Sequence, residues 1–401
     1  MSELIRLCIQ RWNTMQIGLD TVEEFWNWDQ VEQSRARARV TSREAFQDEF
    51  GYFIGVGAER VYSMPSGHQG LEWLLRARLD SRRHVMVPAF NCSVVQDAVT
   101  AAGLQSQLYD FSPQPGIFEW ERVIEEMTPN VGVLIVTHYF GVPVDFRPVL
   151  DHCAARGIIV IEDCAHTLGG AVGGQQVGTL GDATIFSFNY DKPISLGWGG
   201  VAVMNNMSAF DATLASGYRV PETGEEMALL RQFASAMAER RRMIPYQNLL
   251  PTRLLHRLRV LKSHSFRTSR NISIGAVQAE LGRWCLAQYP EVLQVRKRNA
   301  ETLAAYVPLQ TWPVDEAVEP AWVKQKVHIP DEHRRQSLSS GFQRKGIRAG
   351  NFNWPSLIDG QGREGCHQAL DAATNWIDVP VHQNLTDSTM AQLIDGFKET
   401  V

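Results

Sequence analysis

Lys192 lies five residues beyond Ser187, at the end of a β-rich run, and is followed by Pro193 and a Gly197-Trp198-Gly199-Gly200 turn. A lysine that forms a Schiff base must be partly unprotonated, and burial in a sheet-edge pocket beside another positive centre lowers its pKa toward that state. Lys192 fits that chemistry; by residue type alone it also fits an ordinary surface lysine. Asp163 closes the apolar run GIIVIED, where a carboxylate is costly without a partner. A facing cation, an N-cap role or a structural ion pair would each satisfy it. Ser66-Gly67-His68 opens directly into the helical stretch QGLEWLLRARL. The free N–H groups of a helix start make an anion site, and Gly67 permits close approach.

These residues can act together only if one scaffold gathers them. From about residue 60 to 205, short apolar runs (HVMVPAF, GLQSQLYDF, VGVLIVTHYF, GIIVIEDCA, ATIFSFN, GGVAVMN) alternate with helical stretches. That alternation predicts an α/β fold with a mainly parallel central sheet and helices on both faces. Such sheets bind ligands beyond the carboxyl ends of their strands. The runs lead there to His138, to Glu162 and Asp163, and to Asn189 and Lys192. Upstream, TSREAFQDEFGYF spaces Phe46, Phe50 and Phe53 as one apolar helix face behind Thr41 and Ser42. Residues 275–306 read as a long helical segment broken at Pro290. KVHIP, GIRAG and WIDVP predict a small terminal unit closed by a helix capped by Thr386. The expected organisation is an N-terminal extension (1–40), a large α/β domain (41–265) with a basic helical insertion at about 205–265, and a smaller C-terminal α+β domain (266–401).

Composition narrows the function. The 401 residues are 44% hydrophobic and 21% charged, with 39 basic against 44 acidic side chains and a net charge of −5. That balance gives no overall attraction to nucleic acid, so any anion site is local. The six cysteines are scattered, with no Cys-x-x-Cys pair, and indicate neither a disulfide framework nor a zinc ribbon. No metal set is expected, and Cys164 and His166 read as pocket residues. The absence of a signal-like N-terminus and of an 18-residue apolar run points to the cytoplasm and to no transmembrane segment. Residues 240–262 hold seven Arg or Lys and no acid; a solvated helix face, a patch for phosphate, a carrier protein or a membrane surface, or a contact with another copy of the chain are all compatible with them.

In order and spacing these pieces resemble the DegT/DnrJ/EryC1/StrS family of sugar aminotransferases, fold type I enzymes that use pyridoxal 5'-phosphate (PLP). The similarity runs from about Phe46 to the C-terminus and is strongest over 134–203, in LIVTHYFGVPVDF, VIEDCAHTLGGAVGGQQVGTLGDATIFSFN, Lys192 and GWGGVAV. It implies that Lys192 carries PLP and shuttles protons, that Asp163 pairs with the pyridinium nitrogen, and that His166 lies against the ring and its 3-hydroxyl. It assigns the phosphate to Ser187 and the backbone of Gly67 and His68, with Asn271 reaching over from a neighbouring subunit, which implies a homodimer with shared sites. It gives His382 a structural role. The donor expected from the family is an amino acid such as L-glutamate, and the acceptor a nucleotide-linked ketosugar.

Four positions depart from the family pattern. His68 stands where Thr is usual, Cys92 where an aromatic often stacks on the cofactor ring, Ser273 where a basic residue often follows the Asn, and Trp198 in place of an acid. These departures leave open a PLP-dependent dehydratase or lyase on the same scaffold. A non-catalytic regulatory protein is the third alternative, and the presence of both Lys192 and Asp163 counts against it.

Overall fold

The computed structural model describes residues 18–214, 217–244, 271–350 and 366–399. Residues 1–17 of the expected extension and the basic stretch beyond 244 lie outside the described residues.

The apolar runs fold as β1 (Val61–Met64), β2 (His84–Pro88), β3 (Gln105–Tyr109), β4 (Val131–Thr137) and β5 (Ile159–Asp163). Two short strands follow, β6 (Ala171–Val172) and β7 (Gln175–Gln176), and then β8 (Ala183–Ser187) and β9 (Gly200–Met204). A seven-stranded sheet takes the order β1-β9-β8-β5-β4-β2-β3. Its β3-β2-β4-β5-β8 portion is parallel, while β9 runs antiparallel to both β8 and β1. Every residue of β4, β5 and β8 is buried, as expected of strands covered on both faces.

The covering helices before residue 160 are α1 (Trp28–Arg37), α2 (Ser42–Ile54), α3 (Gly67–Ala77), α4 (Ser93–Ala101), α5 (Trp120–Glu126) and α6 (Arg147–Ala155). Alternation along the strands divides the core in two. Val85, Val133, Ile135, Ile161 and Ile185 pack with Leu71, Leu74 and Val95 of α3 and α4. Met86, Leu134, Val136 and Phe186 belong to the larger cluster on the other face with Phe46 and Phe50 of α2. Phe53 is only partly buried, and Thr41 makes no side-chain capping bond.

Two long helices follow, α7 (Thr223–Met243) and α8 (Ala276–Tyr306). The expected break at Pro290 is absent: α8 continues through it for 31 residues. An internal proline costs about 3 kcal/mol. Leu286, Tyr289 and Val292 flank Pro290 and are all buried; at roughly 1.5–3 kcal/mol per buried large apolar side chain, tertiary packing outweighs the lost bond. Fully buried Glu226 of α7 accepts from Val277 N (3.0 Å) and Gln278 N (2.7 Å), the orphan donors at the start of α8. Burial pushes its carboxyl up, and these N–H groups and Arg43 pull it back. Glu226→Ala is therefore expected to lower unfolding free energy by about 2 kcal/mol, read as a lower denaturant midpoint.

The C-terminal portion adds β10 (Val318–Glu319), β11 (Lys324–His328), α9 (Glu332–Arg344), α10 (His367–Thr374), β12 (Trp376–Pro380) and α11 (Asp387–Lys398). β11 and β12 pair antiparallel, and Gly350 bridges to Asp378. Thr386 caps α11 by accepting from Thr389 N. The chain before α1 ties these parts together. Asp20 pairs with Arg240 (2.5 Å) and Glu24 with Arg241 (2.8 Å), while Trp26 Nε1 donates to Ser195 O (2.6 Å). His382 is buried, with Nε2 bonded to Asp20 O (2.9 Å) and Nδ1 accepting from Asn384 N (3.2 Å).

Candidate active site

The carboxyl ends of β4, β5 and β8 converge on one region. After β8 the chain turns through Asp191, a non-glycine residue at φ +59°, and presents Lys192. A left-handed conformation in such a residue costs energy that only its surroundings hold in place. Lys192 Nζ lies 2.7 Å from His166 Nε2 and 3.6 Å from Asp191 Oδ1. His166 is buried, and desolvation, followed by the charges of Lys192, Lys324 and Lys326, holds its pKa well below the usual histidine value. Its ring is therefore neutral and hydrogen-bonds the lysine amine through Nε2.

Asp163, the last residue of β5, is buried beside this pair. Desolvation pushes its pKa up; the N–H of Ala165 (3.0 Å), the charges of Lys192 and His138, and the Thr137 hydroxyl pull it back. A carboxylate in that state favours a cationic N–H donor opposite it. Cys92 is half-buried at the N-cap of α4 and feels the charges of Lys192, Asp163 and Asp191. Burial raises its pKa, so the group is a thiol.

The helix start lies at the end of β8. Ser66 caps α3 by accepting from Gln69 N (3.2 Å), so the helix begins at Gly67, before the stretch read from the sequence. A Cβ on Gly67 would lie 3.1 Å from that of Ser187, and one on Gly200 would lie 2.7 Å from Gly67 N. Two glycines thus let the β9 turn and the α3 N-terminus close on each other beside the Ser187 hydroxyl. His68 follows in the first turn of α3, half-buried.

Other sequence-selected residues serve the scaffold. Trp198 is buried and donates from Nε1 to Ser273 O (3.3 Å), and Ser273 Oγ donates to Ser63 O (3.2 Å). Asn271 is exposed; its carbonyl accepts from Arg219 N (3.0 Å) of the same chain. His138, Glu162 and Cys164 lie within 4.8 Å of one another, a grouping that could hold a metal. Their atoms are otherwise employed. Glu162 accepts from the N–H groups of Gly178, Leu180 and Gly181 (2.8, 2.9 and 2.8 Å) and from His138 Nε2 (3.2 Å), while His138 Nδ1 accepts from Val144 N (3.0 Å). Burial raises the Cys164 thiol well above its ordinary pKa, which disfavours the ligating thiolate. Glu162→Ala would strand three backbone donors and is expected to cost at least about 3 kcal/mol, seen as a large drop in melting temperature.

Sequence reasoning missed a second group. Lys324 and Lys326 of β11 are buried and both bond to Asp378 of β12, each at 2.9 Å. The signal was present: two lysines two residues apart in a strand share one face, and charge inside WVKQKVHIP and WIDVP contradicts a plain apolar core.

A mainly parallel sheet carrying a lysine–imidazole pair and a buried carboxylate at its carboxyl edge has the architecture of the fold type I PLP-dependent transferases. Residues 20–398 match the DegT/DnrJ/EryC1/StrS aminotransferase family, and the chain belongs to it. Over 201 residues it is 28% identical to GDP-perosamine synthase of Vibrio cholerae, covering 49% of this chain and 53% of that one. Over 157 residues it is 27% identical to dTDP-4-dehydro-2,3,6-trideoxy-D-glucose 4-aminotransferase of Saccharopolyspora spinosa, covering 39% of this chain and 41% of that one. The alignments thus span about half, or less, of these relatives. The PLP form of Spr1654 from Streptococcus pneumoniae superposes with a TM-score of 0.72 at 17% identity, covering 96% of this chain and 98% of that one.

Proposed function

We propose that the protein is a PLP-dependent aminotransferase that moves an amino group from an amino acid, L-glutamate, to a nucleotide-linked ketosugar. The observation that carries this reading is the 2.7 Å contact between Lys192 Nζ and the neutral ring of His166, next to a buried Asp163 whose raised pKa favours a cationic nitrogen opposite it. The cofactor, when bound, supplies an electrophilic carbon for the amine and an electron sink for the donor's α-carbon.

Lys192 would hold the cofactor and, once released, its amine would take and return the proton of the donor's α-carbon. Asp163 keeps the ring nitrogen protonated. The N–H groups of Gly67 and His68 and the Ser187 hydroxyl receive the phosphate, where the positive end of α3 favours an anion. His166 and Cys92 would line the place of the cofactor ring, His166 on the side of its 3-hydroxyl. Asn271 completes the phosphate site of a partner subunit, so the working unit is a homodimer. The division into a large domain (41–265) and a smaller one (266–401) belongs to the same reading, as does action in the cytoplasm. Among the described residues no helix is long and apolar enough to cross a membrane.

The family supports the reaction type, and the relative acting on a dTDP-linked dehydrosugar supports the acceptor class. The test is to load the protein with the amino form of the cofactor, offer dTDP-, UDP- and GDP-linked ketosugars, and weigh the products. A one-for-one exchange of keto oxygen for an amine supports the proposal. Dehydration of a sugar without amine gain would instead assign a dehydratase.

A further inference from the structure

Lys192 stands on a short loop, residues 189–195, closed at its base where Leu196 N donates to Phe188 O (2.8 Å). Asp191, the residue before the lysine, sits at φ +59°, and a non-glycine residue keeps that left-handed conformation only while its neighbours enforce it. Those neighbours lie on α7 and on the chain before α1. Phe233 and Arg240 are seven residues apart on α7, two helical turns, and so share one face. That face runs along the loop. Arg240 places its guanidinium 4.9 Å from the centre of the Tyr190 ring, and a Cβ on Gly197, just past the loop, would lie 3.1 Å from the Phe233 ring.

Residues 18–27 brace both contacts. Asp20 bonds Arg240 Nε (2.5 Å), which fixes the guanidinium over Tyr190. Six residues on, the Trp26 ring packs 6.1 Å from that of Phe233, and its Nε1 donates to Ser195 O (2.6 Å) at the far end of the loop. The brace is itself tied down: Leu19 N donates to Gly346 O (2.8 Å), Arg348 N donates to Leu19 O (2.9 Å), and His382 holds the Asp20 carbonyl. Tyr190 is exposed and belongs to neither hydrophobic cluster. An anchored ion pair laid over an exposed ring adds little to the core; what it holds is the backbone two residues from the reactive amine.

We propose that residues 18–27 position Lys192: Asp20, acting through Arg240 on Tyr190, and Trp26, acting on Ser195, hold the loop in the turn that sets the amine against His166. The consequence for catalysis rests on the aminotransferase reading; the consequence for the loop does not. Arg240, Tyr190 and Trp26 are positioning residues. A misplacement of about 1 Å can cost roughly 10²-fold in a positioned reaction, so a loosened loop slows the proton step without changing how tightly the donor binds.

The test compares wild type with R240M, W26F, Y190A and Y190F. In the cofactor-free proteins, amide hydrogen exchange is read for peptides covering 189–196 and, as a reference, for β4 and β5. In the PLP-loaded proteins, single-turnover reaction with L-glutamate gives a maximal rate and a half-saturating concentration. R240M, W26F and Y190A are expected to exchange at least tenfold faster in the loop, with the reference strands unchanged, and to lose at least tenfold in maximal rate at unchanged half-saturation. Y190F keeps the ring under Arg240 and should match the wild type in both. Wild-type loop exchange in folded Y190A and R240M overturns the proposal. So does faster exchange spread equally over the reference strands, the mark of a merely structural role, or a loosened loop with an unimpaired maximal rate. Because Tyr190 lies outside the core, Y190A decides the matter even where R240M or W26F fails to fold. A loop loosened in the variants of a wild type that does not react with any amino donor would sink the aminotransferase reading and leave the brace standing.

Discussion

Lys192→Ala is expected to abolish amino transfer while leaving the fold intact. The side chain is partly exposed, and His166 at 2.7 Å and Asp191 at 3.6 Å meet it in the loops beyond the strand ends. Its removal therefore leaves both hydrophobic clusters untouched. On the proposed function the chemical loss is large because one group would serve twice, as the tether for the cofactor and as the base that moves the α-proton. General-base catalysis alone contributes ~10²–10⁴-fold, so transfer should fall by at least about a thousandfold. Steady-state assay beside a thermal melt checks both halves of the expectation. Full turnover by a folded mutant would remove Lys192 from the chemistry.

Asp163→Asn tests the other pole of the site and should separate activity from stability. The amide keeps the carboxylate's shape and can still accept from Ala165 N, but it holds no charge against a pyridinium nitrogen. The half-reaction with L-glutamate should slow by roughly 10²-fold or more, the usual effect of removing one preorganised electrostatic partner. Stability should move the opposite way in the cofactor-free protein. Burial raises the folded-state pKa of Asp163, so the folded protein holds that proton more tightly than the unfolded chain. Stability through this group falls as pH rises from the ordinary aspartate value through the raised one, and the ionised group is a cost at neutral pH. Asp163→Asn removes that cost: the cofactor-free mutant should melt at or above the wild type near pH 7, with the advantage shrinking in acid. A mutant that is both unstable and fully active would contradict the assigned role.

The sheet was legible because β4, β5 and β8 are uninterrupted apolar runs, and such runs need covering on both faces. The loop residues at their ends were legible because position alone sends them to the ligand-binding edge. Pro290 was misread for a physical reason: local chemistry demands a break, and the burial of Leu286, Tyr289 and Val292 overrules it. Lys324 and Lys326 were passed over because a strand lysine is ordinarily exposed. Only the tertiary meeting of β11, β12 and Phe140, residues more than 180 positions apart in the case of Phe140 and Lys324, makes their burial tolerable. The bonds from Asp20 to Arg240 and Arg348 are equally non-local, and no periodicity announces them.

The most direct test of the central claim is the visible absorption of the purified protein with PLP, before and after L-glutamate, beside Lys192→Ala. The wild type should show the band of lysine-bound cofactor and convert it to the amino form on adding glutamate, and the mutant should lack the lysine-bound band. Failure of the wild type to bind PLP, or a bound form indifferent to glutamate and every other amino donor, would contradict the assignment of an aminotransferase.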